Sequence, residues 1–232
     1  MNSTTLYKGI DLSEQQIIDC SKPQGNQGCG GGWMPLVFDY VIKYGSTGES
    51  SYPYTASAGS CKTNGGQFSI KSYQGGALSN CTMLSAMIVG RPVSIAVSAG
   101  NKYWQYYSGG ILTECGSGNV DHGVMLVGVY QDHTENYWKI KNSWSTTWGE
   151  KGYIRINRGT DNLCKICSYG YYPVLWYDIV CDLNISITIS IEYPWINTNF
   201  KVSPCCDVFE VTPIVSKMQR VKCGWLSRRL WF

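Results

Sequence analysis

The period of the apolar positions changes once along the chain, and the change separates two kinds of structure. In WMPLVFDYVIKYG (33–45), Met34, Val37, Phe38, Val41 and Ile42 recur at the three- and four-residue spacing of one helix face. Pro35 suits the first turn and Gly45 is a natural stop. DLSEQQIIDC (11–20) predicts an earlier helix. Ser13 stands as its cap, Gln16 completes a capping box three residues on, and Leu12 and Ile17 have the spacing of a hydrophobic staple. SKPQGNQGCGGG (21–32) is turn chemistry and ends it. A shorter helix is expected at about 81–89, before Gly90-Arg91-Pro92. Beyond it the pattern reads as strands rich in β-branched and aromatic residues: 92–98, 122–130, 136–144 and 152–157. Helices followed by strands argue for an α+β fold rather than alternating β/α units.

From about residue 174 the pattern changes again. NISITISIE (184–192) alternates, with Ile185, Ile187, Ile189 and Ile191 on one face of an expected strand. The rest of the tail has no clear period, and Asp178, Asp182 and Glu192 interrupt it, so no membrane span is expected. The tail reads either as a partner-binding edge strand or as sequence read through past a domain end near 173–174. No internal repeat is present.

Composition narrows the class. Of 232 residues, 44% are apolar and 15% charged, which supplies a core and excludes global disorder. The net charge is +3 with basic residues scattered, so no nucleic-acid footprint is expected. Eleven cysteines point to an oxidising compartment with disulfides, and the odd count leaves at least one thiol over. MNSTTLYKGIDLSEQQ has no apolar core of a signal peptide. Asn2, Asn80 and Asn184 each begin an N-x-S/T sequon, which matters only in a secreted chain.

The chemistry concentrates in two stretches. VDHGVMLVGV (120–129) puts His122 between an acid and a buried-strand run, and KNSWSTTWG (141–149) follows with an asparagine and two tryptophans. These read as a base and its orienting residue. His133 in the polar QDHTEN reads as solvated. Cys164-x-x-Cys167 lacks a second such pair or a nearby histidine, so zinc is not expected, and adjacent Cys205-Cys206 is poor ligand spacing. GCGGG lacks the Gly-Lys-Ser/Thr ending of a phosphate loop. No metal and no cofactor are expected.

LSEQQIIDC, GCGGGW, SYPYTASAGSC, PVSIAVSAG, SGGIL, VDHGVMLVGV, KNSWSTTWGEKGYIRI and CKICSYGYYPV occur in that order. Over residues 11–173 this series resembles the papain-like cysteine peptidases. The resemblance implies two half-domains with a cleft between them. They are a helical half at about 11–70 and an antiparallel β-barrel half at about 71–173, together a partial peptidase domain (1–173), with 174–232 outside it. His122 matches the general base, Asn142 the residue that orients its ring, and Trp144 the indole that shields their bond. Gly31 and Gly32 match the backbone that pairs with an extended substrate. Trp33, Met34, Ala96, Val120, Gly123 and Tyr169 match positions lining the pocket for the second residue before the cut. That pocket is expected to be apolar and shortened by Tyr169. Cys20–Cys61 and Cys115–Cys164 match family disulfides; Cys29 matches a cysteine whose partner lies beside the nucleophile, and Cys167 is left as a stray.

The family nucleophile precedes its histidine by roughly 130–150 residues, and counting back from His122 passes Met1. The domain is therefore expected to be N-terminally truncated, without the nucleophile and its oxyanion-hole glutamine. The remaining helical half is expected to expose apolar surface and be poorly stable. VKCGW (221–225) is a chance echo of the nucleophile motif. The expectation is a monomeric homologue of cysteine endopeptidases, lysosomal or extracellular by resemblance, that takes polypeptide substrates or proteinaceous inhibitors and is inactive as it stands. The alternative is a non-catalytic homologue that binds peptides or inhibitors.

Overall fold

In the computed structural model, residues 9–63, 65–159 and 162–175 are described in full, and 187–193 and 196–202 as backbone. The chain divides into two compact units, Met1–Trp176 and Tyr177–Phe232.

The first unit begins with α1 (Glu14–Cys20), where the Ser13 side chain accepts from the Gln16 amide as a cap should. The reciprocal half of the capping box is not made. The Ser13 amide instead donates to Thr47 O. The buried Gln16 side chain accepts from Thr47 N and donates to the Tyr40 hydroxyl, so it ties α1 to its neighbours. Leu12 stays exposed, which leaves the staple little to bury. Helix α2 (Met34–Tyr44) carries Pro35 in its first turn, and Gly45 ends it at φ 76° with its N–H on Val41 O. Met34, Val37, Phe38 and Val41 are only half-buried and Ile42 is exposed. The buried apolar core of this half is Cys20, Tyr40 and Tyr52.

The larger core lies in the sheet half, from Leu84 through Val93, Ile95, Leu126, Trp138, Ile140, Ile154 and Ile156 to Cys167. In chain order the elements are β1 (Ser72–Ala77), α3 (Cys81–Met87), β2 (Val93–Val97), α4 (Lys102–Gln105), β3 (Ile111–Leu112), β4 (His122–Gln131), β5 (Asn136–Lys141), β6 (Tyr153–Asn157) and β7 (Tyr169–Val174). They form one sheet in the order β1-β7-β2-β4-β5-β6-β3. Every pairing is antiparallel except that of the two-residue β3, which runs parallel to β6. In β2, Val93, Ile95 and Val97 are fully buried, whereas β4 buries Val124 and Leu126 and turns Val127 and Val129 outward.

Three disulfides tie this unit: Cys20–Cys61, Cys115–Cys164 and Cys81–Cys167. The last corrects the reading of Cys167 as a stray. It joins the first residue of α3 to the turn before β7. Among the described residues Cys29 is the free cysteine, and it is exposed.

In the second unit, β8 (Ile187–Tyr193) and β9 (Ile196–Val202) pair antiparallel. Ile187, Ile189 and Ile191 lie on β8, within the stretch that the alternation marks as a strand. Ile185, Cys205, Cys206 and VKCGW lie outside the described residues.

Candidate active site

β4 begins at His122 because Val120 and Asp121 end a loop that the sheet then takes up. His122 pairs across the ladder with Val97, and Gly123 with Ala96. Asp121 fixes the entrance. Its carboxylate accepts from Ala99 N at 2.7 Å and Gly100 N at 2.9 Å, and its own amide donates to Val97 O. The loop after β2 is thereby pinned beside the histidine. The sequence shows this only as an acid ahead of His122, which does not reveal whom the acid binds.

Asn142 follows β5 directly and is 7% exposed, with its amide on Gly152 O. The His122 ring nitrogen Nε2 lies 2.8 Å from Asn142 Oδ1. The Ser143 amide also donates to that atom at 2.8 Å. A backbone N–H can only donate, so the shared atom is the amide oxygen, and Nε2 carries the proton. Nδ1 is then the basic nitrogen of neutral His122. Trp144 lies over the imidazole, with ring centroids 5.0 Å apart and planes tilted by 34°. Trp144 is itself partly exposed.

The sequence reading missed what holds Trp144. Trp148 meets it edge-on at 5.5 Å and stacks on the fully buried Trp104 at 6.1 Å. The chain of rings thus runs from His122 into the core. Below it, Glu150 accepts from Gly110 N and from Arg155 at 2.8 Å. The Arg155 guanidinium holds the Glu150 carboxyl below its ordinary range, against burial. Tyr107, whose hydroxyl donates to Gly110 O, is pushed up by burial. This network fastens the loop between Trp144 and β6.

The expected substrate residues fall into two groups. Gly31 and Gly32 are exposed at the rim of a groove of about 240 Å³, also lined by Ile17, Trp33, Met34 and Val37. Asn26 explains why position 32 needs glycine. Its Oδ1 accepts from Trp33 N, and a Cβ on Gly32 would collide with that oxygen. Tyr169 at the start of β7 meets Trp33 edge-on at 5.1 Å, with Tyr171 behind at 6.1 Å. Ala96 is buried in β2 beside the exposed Gly123, and Val120 is half-buried at the foot of β4. Cys29 makes no hydrogen bond to His122. Among the described residues no group of three or more His, Cys, Asp or Glu is arranged to hold a metal.

The family model for papain family cysteine proteases matches residues 1–174. The chain belongs to the papain family. A cathepsin L 2 from Paramecium tetraurelia is 43% identical over 175 residues, covering 73% of this chain and 52% of that protein. Mouse procathepsin L is 41% identical over 178 residues, covering 72% and 53%. The chain thus spans about half the length of the curated relatives it matches. Bromelain from Ananas comosus, solved in complex with the E64 inhibitor, superposes with a TM-score of 0.66 at 36% identity, covering 72% of this chain and 79% of that one. Digestive procathepsin L 3 of Tenebrio molitor gives the same TM-score at 38% identity, over 72% of this chain and 56% of that one. These relatives give the sheet, the helices and the disulfide-bonded frame a papain-like α+β fold.

Proposed function

We propose that this chain carries the base-and-orienter half of a cysteine endopeptidase site, with His122 as base and Asn142 as the residue that sets its ring. One observation carries the reading: the Nε2–Oδ1 contact of 2.8 Å that leaves Nδ1 as the basic nitrogen. A thiol placed at Nδ1 would give its proton to the imidazole, and the thiolate would attack a peptide carbonyl. The imidazolium would return that proton to the leaving amine. The acyl-enzyme would then be hydrolysed by water, with His122 again as base. Polypeptides would lie extended along Gly31–Gly32, with an apolar side chain in a pocket shortened by the Trp33–Tyr169 contact.

No thiol stands beside His122 among the described residues, so those residues alone would not hydrolyse peptides. The nucleophile would have to come from outside them. The same observation supports a second reading, a homologue that binds peptides or inhibitors without cutting them. The disulfides and the cathepsin-type relatives support a lysosomal or extracellular location, and we take the protein as a monomer. The experiment is to incubate the full chain with the epoxide E64 and follow its intact mass, beside His122→Ala. The expected result is no adduct that depends on His122. A His122-dependent adduct on a cysteine would show a thiol at Nδ1 and overturn the inert reading. A peptide amide that shifts the backbone NMR signals of residues 31–33, without being cleaved, would favour the binding homologue.

A further inference from the structure

The sequon Asn80-Cys81-Thr82 has no part in the site, yet its residues are arranged in an informative way. Asn80 and Thr82 are exposed, next to a surface that also shows Met83 and Val89. Asn80 caps α3: its Oδ1 accepts from Met83 N at 3.1 Å, while Nδ2 has a single 3.5 Å contact with Ser79 Oγ. The cap uses the oxygen and leaves the amide nitrogen to solvent. Cys81 between them is half-buried against the sheet core and bonded to Cys167. Three disulfides mark the chain as one that folds in an oxidising compartment, where N-x-S/T sequons meet their transferase.

We propose that Asn80 is an N-glycosylation site whose occupancy is set by a race with closure of the Cys81–Cys167 disulfide. The proposal rests on the lysosomal or extracellular reading of the protein. The donor is a lipid-linked oligosaccharide diphosphate. Asn80 Nδ2 bonds to C1 of its first sugar and loses one proton as the C1–O bond to the diphosphate breaks and the lipid diphosphate leaves. No oxidation or reduction is involved. The folded protein tolerates the product, because Oδ1 still caps Met83 N and Nδ2 faces water. The transferase, however, must take the three residues as a flexible strand. Once Cys81 is bonded to Cys167 and begins α3, its middle residue can no longer leave the surface. Modification therefore has to come before closure.

The test expresses the full chain behind a cleavable leader in secreting eukaryotic cells. Asn2→Gln and Asn184→Gln remove the other sequons, and a C-terminal reporter sequon verifies passage through the compartment. Intact mass and peptide mapping, before and after an amidase that removes N-linked glycans, read the occupancy at position 80. The expected result is a partly occupied Asn80, no glycan there in Asn80→Gln or Thr82→Ala, and at least twofold higher occupancy in Cys167→Ser. An unmodified Asn80 beside a glycosylated reporter overturns the site. Equal occupancy with and without Cys167 overturns the race. Since the leader carries the chain into the compartment, either result is independent of the peptidase reading. The location reading fails separately, if the protein from its own cells has no disulfides.

Discussion

One amide oxygen decides which nitrogen of His122 is free to act. Because Asn142 Oδ1 receives both Nε2–H and the Ser143 amide, the ring is held by a partner that adds no full charge. The Asn142 nitrogen Nδ2 is buried with no acceptor among the described residues. An orphaned donor of this kind costs about 1–3 kcal/mol, which is hard to account for unless the oxygen is needed. In a form of the protein that carries the thiol and is active, Asn142→Ala should lower kcat/KM by on the order of 10²-fold through loss of ring alignment. A drop in kcat at nearly constant KM in steady-state assays would support this; an unchanged kcat would count against it. At this scale the sequence pointed to His122, Asn142 and Trp144 by residue type and order, and the fold brings the three side chains together. It was not legible where a role depends on a distant partner. Asp121 is an ordinary acid until Ala99 and Gly100 meet it, and Asn26 shows its purpose only through Gly32.

Among elements, legibility followed periodicity. β2, β4, β5 and β6 announce themselves by alternation and β-branched residues, and α2 by its apolar face. β1, SYQGGA, carries two glycines and no apolar alternation; it becomes a strand because β7 pairs with all six of its residues. Gln16 has the spacing of a capping-box residue, but burial against Tyr40 gives its side chain other partners than the Ser13 amide. Disulfide pairing cannot be deduced from spacing alone, which is why Cys81–Cys167 went unseen. That bond closes a separation of 86 residues and holds the turn leading into Tyr169. Replacing both cysteines by serine should reduce the unfolding free energy by about 2–4 kcal/mol, measured by urea denaturation. A loss below about 0.5 kcal/mol would mean that α3 and β7 stay joined without it.

Across the whole of the first unit, the two halves differ in how much they bury. The sheet half has a continuous core, whereas the helical half relies on Cys20, Tyr40 and Tyr52 and on polar ties. Asp19 is one of them. Burial works against its carboxylate, but the Gly59 amide, the Tyr52 hydroxyl and Gln15 outweigh it and hold its pKa below the ordinary value. A carboxyl with a lowered folded-state pKa stabilises fully above its unfolded value, near 4, and loses that contribution as the pH falls through the folded value. Below about pH 4 the helical half should therefore open before the sheet. Hydrogen exchange should show amides of α1 and α2 losing protection there while β2, β4 and β5 keep theirs. Equal loss in both halves would refute this, and Asp19→Asn should weaken the pH dependence of protection in α1 and α2.

The reading of the site rests on the protonation state of one ring. Long-range proton–nitrogen NMR of the full chain, with histidine labelled with nitrogen-15, would report it directly. Neutral His122 should carry its proton on Nε2 and have a bare Nδ1, and Asn142→Ala should allow both tautomers. A proton on Nδ1 in the unaltered chain would contradict the assignment of His122 as a base held by Asn142.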